Sequence, residues 1–202
     1  MSSGIRGTMH FLREENSRLQ QENEELRNEL VRLRMVLRAL RSLHEVTLNI
    51  SPATDVVALL DRILKASLVS IGAMDGSLML VDEEKNEMAF AVVHGSVRDT
   101  LRGYRIPLGT GIAGWVAKQG EPVMLTDARL DSRFSPQVDN VFHFHTRSLL
   151  CVPLQYNGRI QGVIQALNKS NGREFTQADL MLLGAVAQIA SAAIHKAESV
   201  ID

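Results

Sequence analysis

Leucine recurs every seven residues near the start of the chain, at Leu12, Leu19, Leu26, Leu33 and Leu40. Taken as the d positions of a heptad, these put Met9, Asn16, Asn23, Leu30 and Leu37 at a. The pattern predicts a coiled-coil seam. Asparagine at a favours two strands in register, because each can hydrogen-bond its twin across a dimer. Glu22 and Glu29 fall at g, and Arg27 and Arg34 at e, so a parallel dimer sets opposite charges face to face. The alternative is one amphipathic helix folded onto its own domain, but the face from Glu14 to Arg34 is too polar and the seam too narrow for that. A DNA-binding zipper needs a basic helix before it, and the eleven residues ahead of Leu12 hold one arginine. The expected organisation is a flexible stretch over 1–11, a dimerising helix over 12–50, and a globular domain over 51–202. Ser51-Pro52 marks the end of the helix, since the residue before proline is disfavoured in helix.

Beyond it the periods alternate. Asp55 to Ile71 carries one apolar stripe at helical spacing, with Thr54 as the expected cap. Ser77–Val81 and Glu87–Val93 read as strands around a polar turn, and Tyr104–Leu108 as a third, short one. Gly109-Thr110-Gly111 opens a helix over Ile112–Lys118 that Gly120 ends. Pro122–Leu125 is extended, and Thr126–Val141 is a polar loop with room for one helical turn. Arg147–Tyr156 and Ile160–Leu167 form a hairpin across Asn157-Gly158. Pro153 sits awkwardly in the first of these strands and predicts a bulge or ladder end. In the second, Ile160, Ile164 and Ala166 share one face, and Gln161, Val163, Gln165 and Leu167 the other. A glutamine among apolar neighbours there reads either as the lining of a cavity or as a solvated face. Thr176 and Asp179 make a capping-box start to a long last helix from Gln177 to about Ser199, whose small side chains suit close packing on the first helix and on a partner's copies.

Apolar residues make up 45% of the 202-residue chain and charged residues 22%, with a net charge of −1. That composition supports a packed core and gives no basic footprint for nucleic acid. The single cysteine, Cys151, excludes an intrachain disulfide and a cysteine-rich metal site. No apolar run reads as a membrane span and no signal peptide is visible, so the expectation is a cytoplasmic protein without a membrane or nucleic-acid partner.

GIAGWVAKQGEPV at 111–123, TDARLDSRF at 126–134, VD at 138–139 and TRSLLCVPL at 146–154 resemble the GAF domain family. They look most like the GAF domains of cyclic-nucleotide phosphodiesterases and bacterial adenylyl cyclases. The resemblance covers roughly Leu40 to Ala197. Four of the family's five signature residues match as Asn168, Lys169, Phe175 and Asp179, with Leu180 in place of the glutamate. The resemblance implies an α+β, PAS-like fold: a six-stranded antiparallel sheet with helices on both sides, and terminal helices that pair in a homodimer. It also implies a ligand pocket. Ser77, Ile112, Ala113, Asp139 and Thr146 match its positions, while the expected Thr-Gly after the aspartate is Phe142-His143 and the pocket glutamate is Gln165. With His94 and Gly111 these form the candidate ligand-binding set. The free N–H groups at the start of the short helix form an anion site.

The function expected from this reading is a signal-transduction module that binds a small polar or anionic ligand, with a cyclic nucleotide among the candidates, and passes the signal to a separate output protein or domain. The alternative is a ligand-free dimerisation or interaction domain, its pocket filled by Phe142, Met79 and Leu167. An enzyme or pigment-binding reading is disfavoured: the related methionine-sulfoxide reductases need more than one cysteine, and no nucleophile–base–orienter set is visible. No catalytic or metal residue is expected. His143 and His145 could join Asp139 on a metal or haem, but a solvated loop pair is the simpler reading.

Overall fold

The computed structural model describes residues 9–24, 26–27, 30 and 55–201. The chain divides into two compact units, split between Arg38 and Ala39. In the first unit, helix α1 covers residues 9–24, and residues 26, 27 and 30 are helical as well. Arg18 donates to Glu15 at 2.6 Å, and His10 lies 3.5 Å from Glu14. Met9, Leu12, Leu19, Leu26 and Leu30 are each at least half exposed. Leu33, Leu37, Leu40 and the expected run of helix to Ile50 lie outside the described residues.

The second unit is built on a six-stranded sheet in the order β3-β2-β1-β6-β5-β4. The strands are β1 (Ala73–Asp82), β2 (Glu87–His94), β3 (Arg105–Pro107), β4 (Val123–Leu125), β5 (Leu149–Tyr156) and β6 (Arg159–Lys169). Every neighbouring pair is antiparallel. On one face lie α2 (Val56–Ile71) and α6 (Gln177–Ile201), where Leu60, Leu64, Leu68, Leu183 and Ile194 meet Leu78, Leu150, Val152 and Ile164. On the other lie α4 (Gly111–Gln119) and the segment between β4 and β5, over Met79, Phe90, Leu149 and Val163. The second unit also holds two short helices, α3 (Arg98–Leu101) and α5 (Gln137–Phe142). The sheet with helices on both sides is the architecture expected from the sequence. Burying each large aliphatic side chain on these faces contributes about 1.5–3 kcal/mol.

Local chemistry explains the boundaries. Asp55, not Thr54, caps α2: its Oδ1 accepts from Ala58 N at 3.0 Å. Asn157 and Gly158 both take positive φ, 47° and 82°, as a two-residue hairpin turn requires. Two bulges reset the strand alternation. In β2 the register slips opposite Leu78/Met79, so Ala91 and Val92 both pack on the α2–α6 side while Phe90 and Val93 face α4. In β6 the slip falls at Gln161, opposite Leu154/Gln155. Pro153 itself stays in register with Val163, so the irregularity expected there lies just beyond it. The same slip separates Ile160 from Ile164 and Ala166, with which the simple alternation grouped it: Ile160 lies against Gly120 at the end of α4. α6 is also long and apolar enough, by length and composition alone, to cross a membrane over Gln177–Ser199, which the sequence reading missed. Its Leu183, Ala187, Ala190 and Ala193 are spent on the core.

The signature residues form the joint between β6 and α6. Thr176 N donates to Asp179 Oδ2 at 2.8 Å, and Asp179 N returns a bond to Thr176 Oγ1 at 3.2 Å, which is the capping box. Lys169 Nζ donates to the same Oδ2, and its ammonium lies 5.7 Å from the centroid of buried Phe175. Asn168, at φ 54°, accepts from Arg147 N and donates to His145 O, both at 2.9 Å. It thereby fastens the segment entering β5 to the end of β6.

The polar segment over the α4 face, residues 126–148, holds a 3-10 turn at Ala128–Leu130 and helix α5, more structure than the one helical turn expected. It is pinned along its length. Ala128 N donates to Arg147 O at 2.6 Å. Arg133 lies over Trp115 of α4, 4.3 Å from the ring centroid, and holds Asp131 in a fork of 2.8 and 2.7 Å bonds. Asp139 accepts from Thr146 N and Thr146 Oγ1, both at 2.8 Å.

Asp179→Ala leaves the half-buried Lys169 ammonium and the first turn of α6 without their acceptor. It is expected to lower the unfolding free energy by about 2–4 kcal/mol in urea titrations, whereas Glu83→Ala, which breaks an exposed pair with Arg159, leaves the midpoint unchanged. Arg133 holds the Asp131 carboxyl down at about 2, below its ordinary 3.8. The folded state binds that proton less tightly than the unfolded chain. The pair therefore stabilises the fold above about pH 4, and the contribution is lost as the pH falls through about 2. Asp131→Asn is expected to lower Tm near neutral pH, with the gap to wild type closing between about pH 4 and pH 2 in scanning calorimetry.

Candidate functional site

A cavity of about 90 Å³ lies between the sheet and α4, partly covered by the 126–148 segment. β1 supplies Asp75, Ser77 and Met79 to it; β2 supplies Phe90, Val93 and His94; β6 supplies Gln165 and Leu167. Alternation puts the β1 and β6 residues on one face, and the β2 bulge turns Phe90 and Val93 the same way. His94, next to Val93 and in contact with Asp61 of α2, borders the cavity from the end of the strand. Gly111, Ile112 and Ala113 from the first turn of α4 form one wall. Phe134, Ser135, Val138, Asp139, Phe144 and Thr146 form the cover.

The floor is mainly apolar, with one internally paired polar spot. Ser77 is buried and its Oγ donates to Gln165 Oε1 at 3.2 Å, across the β1–β6 ladder where the two residues are direct partners. Gln165 Nε2 reaches Cys151 Sγ at 3.6 Å. Burial pushes the Cys151 thiol up to about 12, which leaves it protonated and a poor nucleophile near neutral pH. Gln165 therefore belongs to a lined cavity and not to a solvated face. The wall differs. Thr110 precedes α4 without a side-chain cap, and the first intrahelical acceptor, Thr110 O, serves Gly114 N. The amides of Gly111, Ile112 and Ala113 are thus the unspent donors of the helix start. Gly114 has no room for a side chain, because a Cβ there would overlap the backbone of Gly109; that contact holds the glycine turn against α4.

Of the sequence-derived set, Ser77, His94, Gly111, Ile112, Ala113, Asp139, Thr146 and Gln165 all line the cavity. Phe142 does not. Its ring packs edge-on against Tyr104, with centroids 5.0 Å apart, and Phe144 supplies the aromatic surface instead. The helix α5 ends at Phe142 and His143 turns the chain at φ 51°, so the residue two further on meets the cavity. Asp139 is no free acceptor, since both its oxygens are spent on Thr146. His94 sits between two layers: Nε2 lies 3.1 Å from Asp61 Oδ1 of α2, while the residue also lines the cavity. His143 and His145 are exposed, and Arg129 Nη2 donates to His145 Nδ1 at 2.6 Å. With Asp139 committed to Thr146, the three do not gather around a common point for a metal.

Sequence reasoning missed Asp75, Phe90, Phe134 and Phe144. Asp75 escaped because the first strand was expected to begin at Ser77; begun at Ala73, its alternation puts Asp75, Ser77 and Met79 on one face.

A family model described as GAF domain matches residues 53–194. The chain is 35% identical over 164 residues to the dual 3',5'-cyclic-AMP and -GMP phosphodiesterase 11A of Takifugu rubripes, covering 76% of this chain and 18% of that protein. It is 31% identical over 168 residues to the dual 3',5'-cyclic-AMP and -GMP phosphodiesterase 11 of Drosophila melanogaster, covering 76% of this chain and 12% of that one. The chain thus spans less than a fifth of the length of either relative. Among solved structures, the GAF domain of a phosphoenolpyruvate-protein phosphotransferase from Coxiella burnetii superposes with a TM-score of 0.67 at 20% identity, over 81% of this chain and 96% of that one. That likeness shows the fold. With the matched sheet, the signature joint and these relatives together, the chain belongs to the GAF domain family of sensory and regulatory modules, of the type carried by cyclic-nucleotide phosphodiesterases.

Proposed function

We propose that the module senses a small polar ligand in the cavity under α4 and relays its occupancy through terminal helices paired in a homodimer. The observation that carries this reading is the cavity itself: a partly covered, mainly apolar space with uncapped helix amides on its wall and the paired Ser77 and Gln165 on its floor. Its cover is held by exchangeable polar bonds, Asp139 to Thr146 and Asn168 to the 145–147 backbone, that an occupant can strengthen or compete with. His94 gives the cavity a direct contact with Asp61 of α2, so a shift at the cavity edge is felt on the opposite face of the sheet. We read the module as a binder and not an enzyme: its one thiol is buried and protonated. Its output then belongs to a separate signalling protein or domain.

The descriptions of the relatives make cyclic AMP and cyclic GMP the first molecules to test. The α4 amides suit a phosphate. At about 90 Å³ the cavity is smaller than the roughly 300–1,000 Å³ of ordinary ligand pockets, so a nucleotide requires the 126–148 segment to open. The same small volume, with Met79 and Leu167 in the lining, favours the second reading, a ligand-free interaction domain.

Mass spectrometry of the native and then the denatured protein separates the two. An extra mass lost on denaturation supports the sensor; a bare protein whose Tm ignores saturating cyclic AMP, cyclic GMP and a metabolite panel supports the interaction domain. If either cyclic nucleotide is the ligand, it is expected to raise Tm by several degrees and slow hydrogen exchange over residues 126–148. For the dimer, the half-exposed leucine face of α1 is the contact. Leu19→Asp with Leu26→Asp is expected to halve the mass seen by light scattering while leaving the circular dichroism of the sheet unchanged; an unchanged mass removes the coiled-coil dimer.

A further inference from the structure

We propose that the cavity selects a small organic cation, an ammonium or guanidinium group, and that Asp75 is the residue that selects it; this rests on the reading of the cavity as a ligand site. Asp75 is 9% exposed and lines the cavity. Its Oδ1 accepts from Ser96 N at 3.2 Å, and no described residue donates to Oδ2. That oxygen is not sealed off within the protein, so it stays open to a donor placed in the cavity. The backbone is shaped to hold it there. Gly95 has φ 111°, and a Cβ at that position would overlap Asp75 Oδ1, so only glycine lets the chain close over the carboxylate.

The surroundings fix the sign of the missing partner. Asp139 adds a second carboxylate to the lining, already matched by Thr146. No lysine or arginine stands among the described lining residues, and His94 is already paired with Asp61. Phe90, Phe134 and Phe144 bring three aromatic rings to the same space, and aromatic faces attract a desolvated cation. A carboxylate among aromatic rings, with no competing cation, is the chemistry that recognises an organic ammonium or guanidinium. The volume agrees: about 90 Å³ is below the roughly 150 Å³ that holds a benzene ring, so the cavity takes a group of few heavy atoms and leaves the rest of a longer ligand at its open side. An acceptor on the same ligand would meet the unspent amides of α4.

The test uses the full chain in thermal-shift titrations with methylammonium and agmatine as cationic probes, and with acetate and inorganic phosphate at matched ionic strength. A saturable rise in Tm is expected with a cationic probe. Asp75→Asn keeps the shape of the side chain and the acceptor for Ser96, and is expected to weaken the apparent affinity about tenfold or more. Phe144→Leu is expected to weaken it a few-fold. The proposal is overturned if no cationic probe acts, if the cationic effect is equal in Asp75→Asn, or if native mass spectrometry releases an anionic or uncharged molecule. A rise with phosphate or a cyclic nucleotide alone would overturn it and leave the cavity standing as a ligand site. A bare protein that responds to no probe would remove both.

Discussion

The structure depends on one constraint: its two central strands, β1 and β6, are covered on both faces. Such strands send few polar side chains to water, so most of the polarity at their centres is answered inside the fold, with Gln161 Oε1 of β6 a buried exception. On the α2–α6 side the answer is to carry none, and leucine, isoleucine and valine fill the layer. On the α4 side, Ser77 and Gln165 stand opposite each other in the ladder and answer one another. That pairing sets a polar spot in the floor without opening the sheet to solvent, and it leaves a space above it that the aliphatic layer does not fill.

The layer above the floor is assembled from parts that pack poorly by themselves. α4 has nine residues and α5 has six, too few for either to be stable alone. They are held by specific contacts instead. The Gly109 backbone nests on Gly114, Arg133 spans from Asp131 to Trp115, and Asp139 closes on Thr146. Contacts of this kind are individually modest and local. A cover built from them can open in part while the sheet and its aliphatic layer stay folded, which is the property a sensory module needs.

The signature residues acquire a physical role in this frame. Asn168 and Lys169 leave β6 in opposite directions. Asn168 takes the backbone at 145–147, where the cover re-enters the sheet, and Lys169 takes Asp179, where α6 begins. One strand end therefore ties the cavity's cover to the long terminal helix. His94 and Asp61 make a second tie, from the cavity edge to α2.

The sequence by itself determined the strands and the longer helices of the domain in order, because these rest on local chemistry; α3 and the 3-10 turn before α5 escaped it. The Asn-Gly turn, the Thr176–Asp179 capping box and the apolar stripes of α2 and α6 are written in residues close together along the chain. It also pointed to part of the cavity lining, through the family resemblance at Ser77, Ile112, Ala113, Asp139 and Thr146, while alternation at Gln165 left a cavity and a solvated face both open. What it could not determine were features that depend on a partner distant in sequence. The bulge at Gln161 moved Ile160 to the other face, and the bulge at Ala91 turned Phe90 toward the cavity; both arise from register against a neighbouring strand. Phe144 took the place expected of Phe142 because α5 ends where Tyr104 offers a ring to pack on. Asp75 entered the site because β1 pairs with β6 four residues earlier than its own pattern indicates, as far back as Ala73 opposite Lys169. Only the tertiary structure brings that carboxylate, Gly95 and the aromatic rings to one space, since each is fixed by packing against residues far away in the chain and not by its own neighbours.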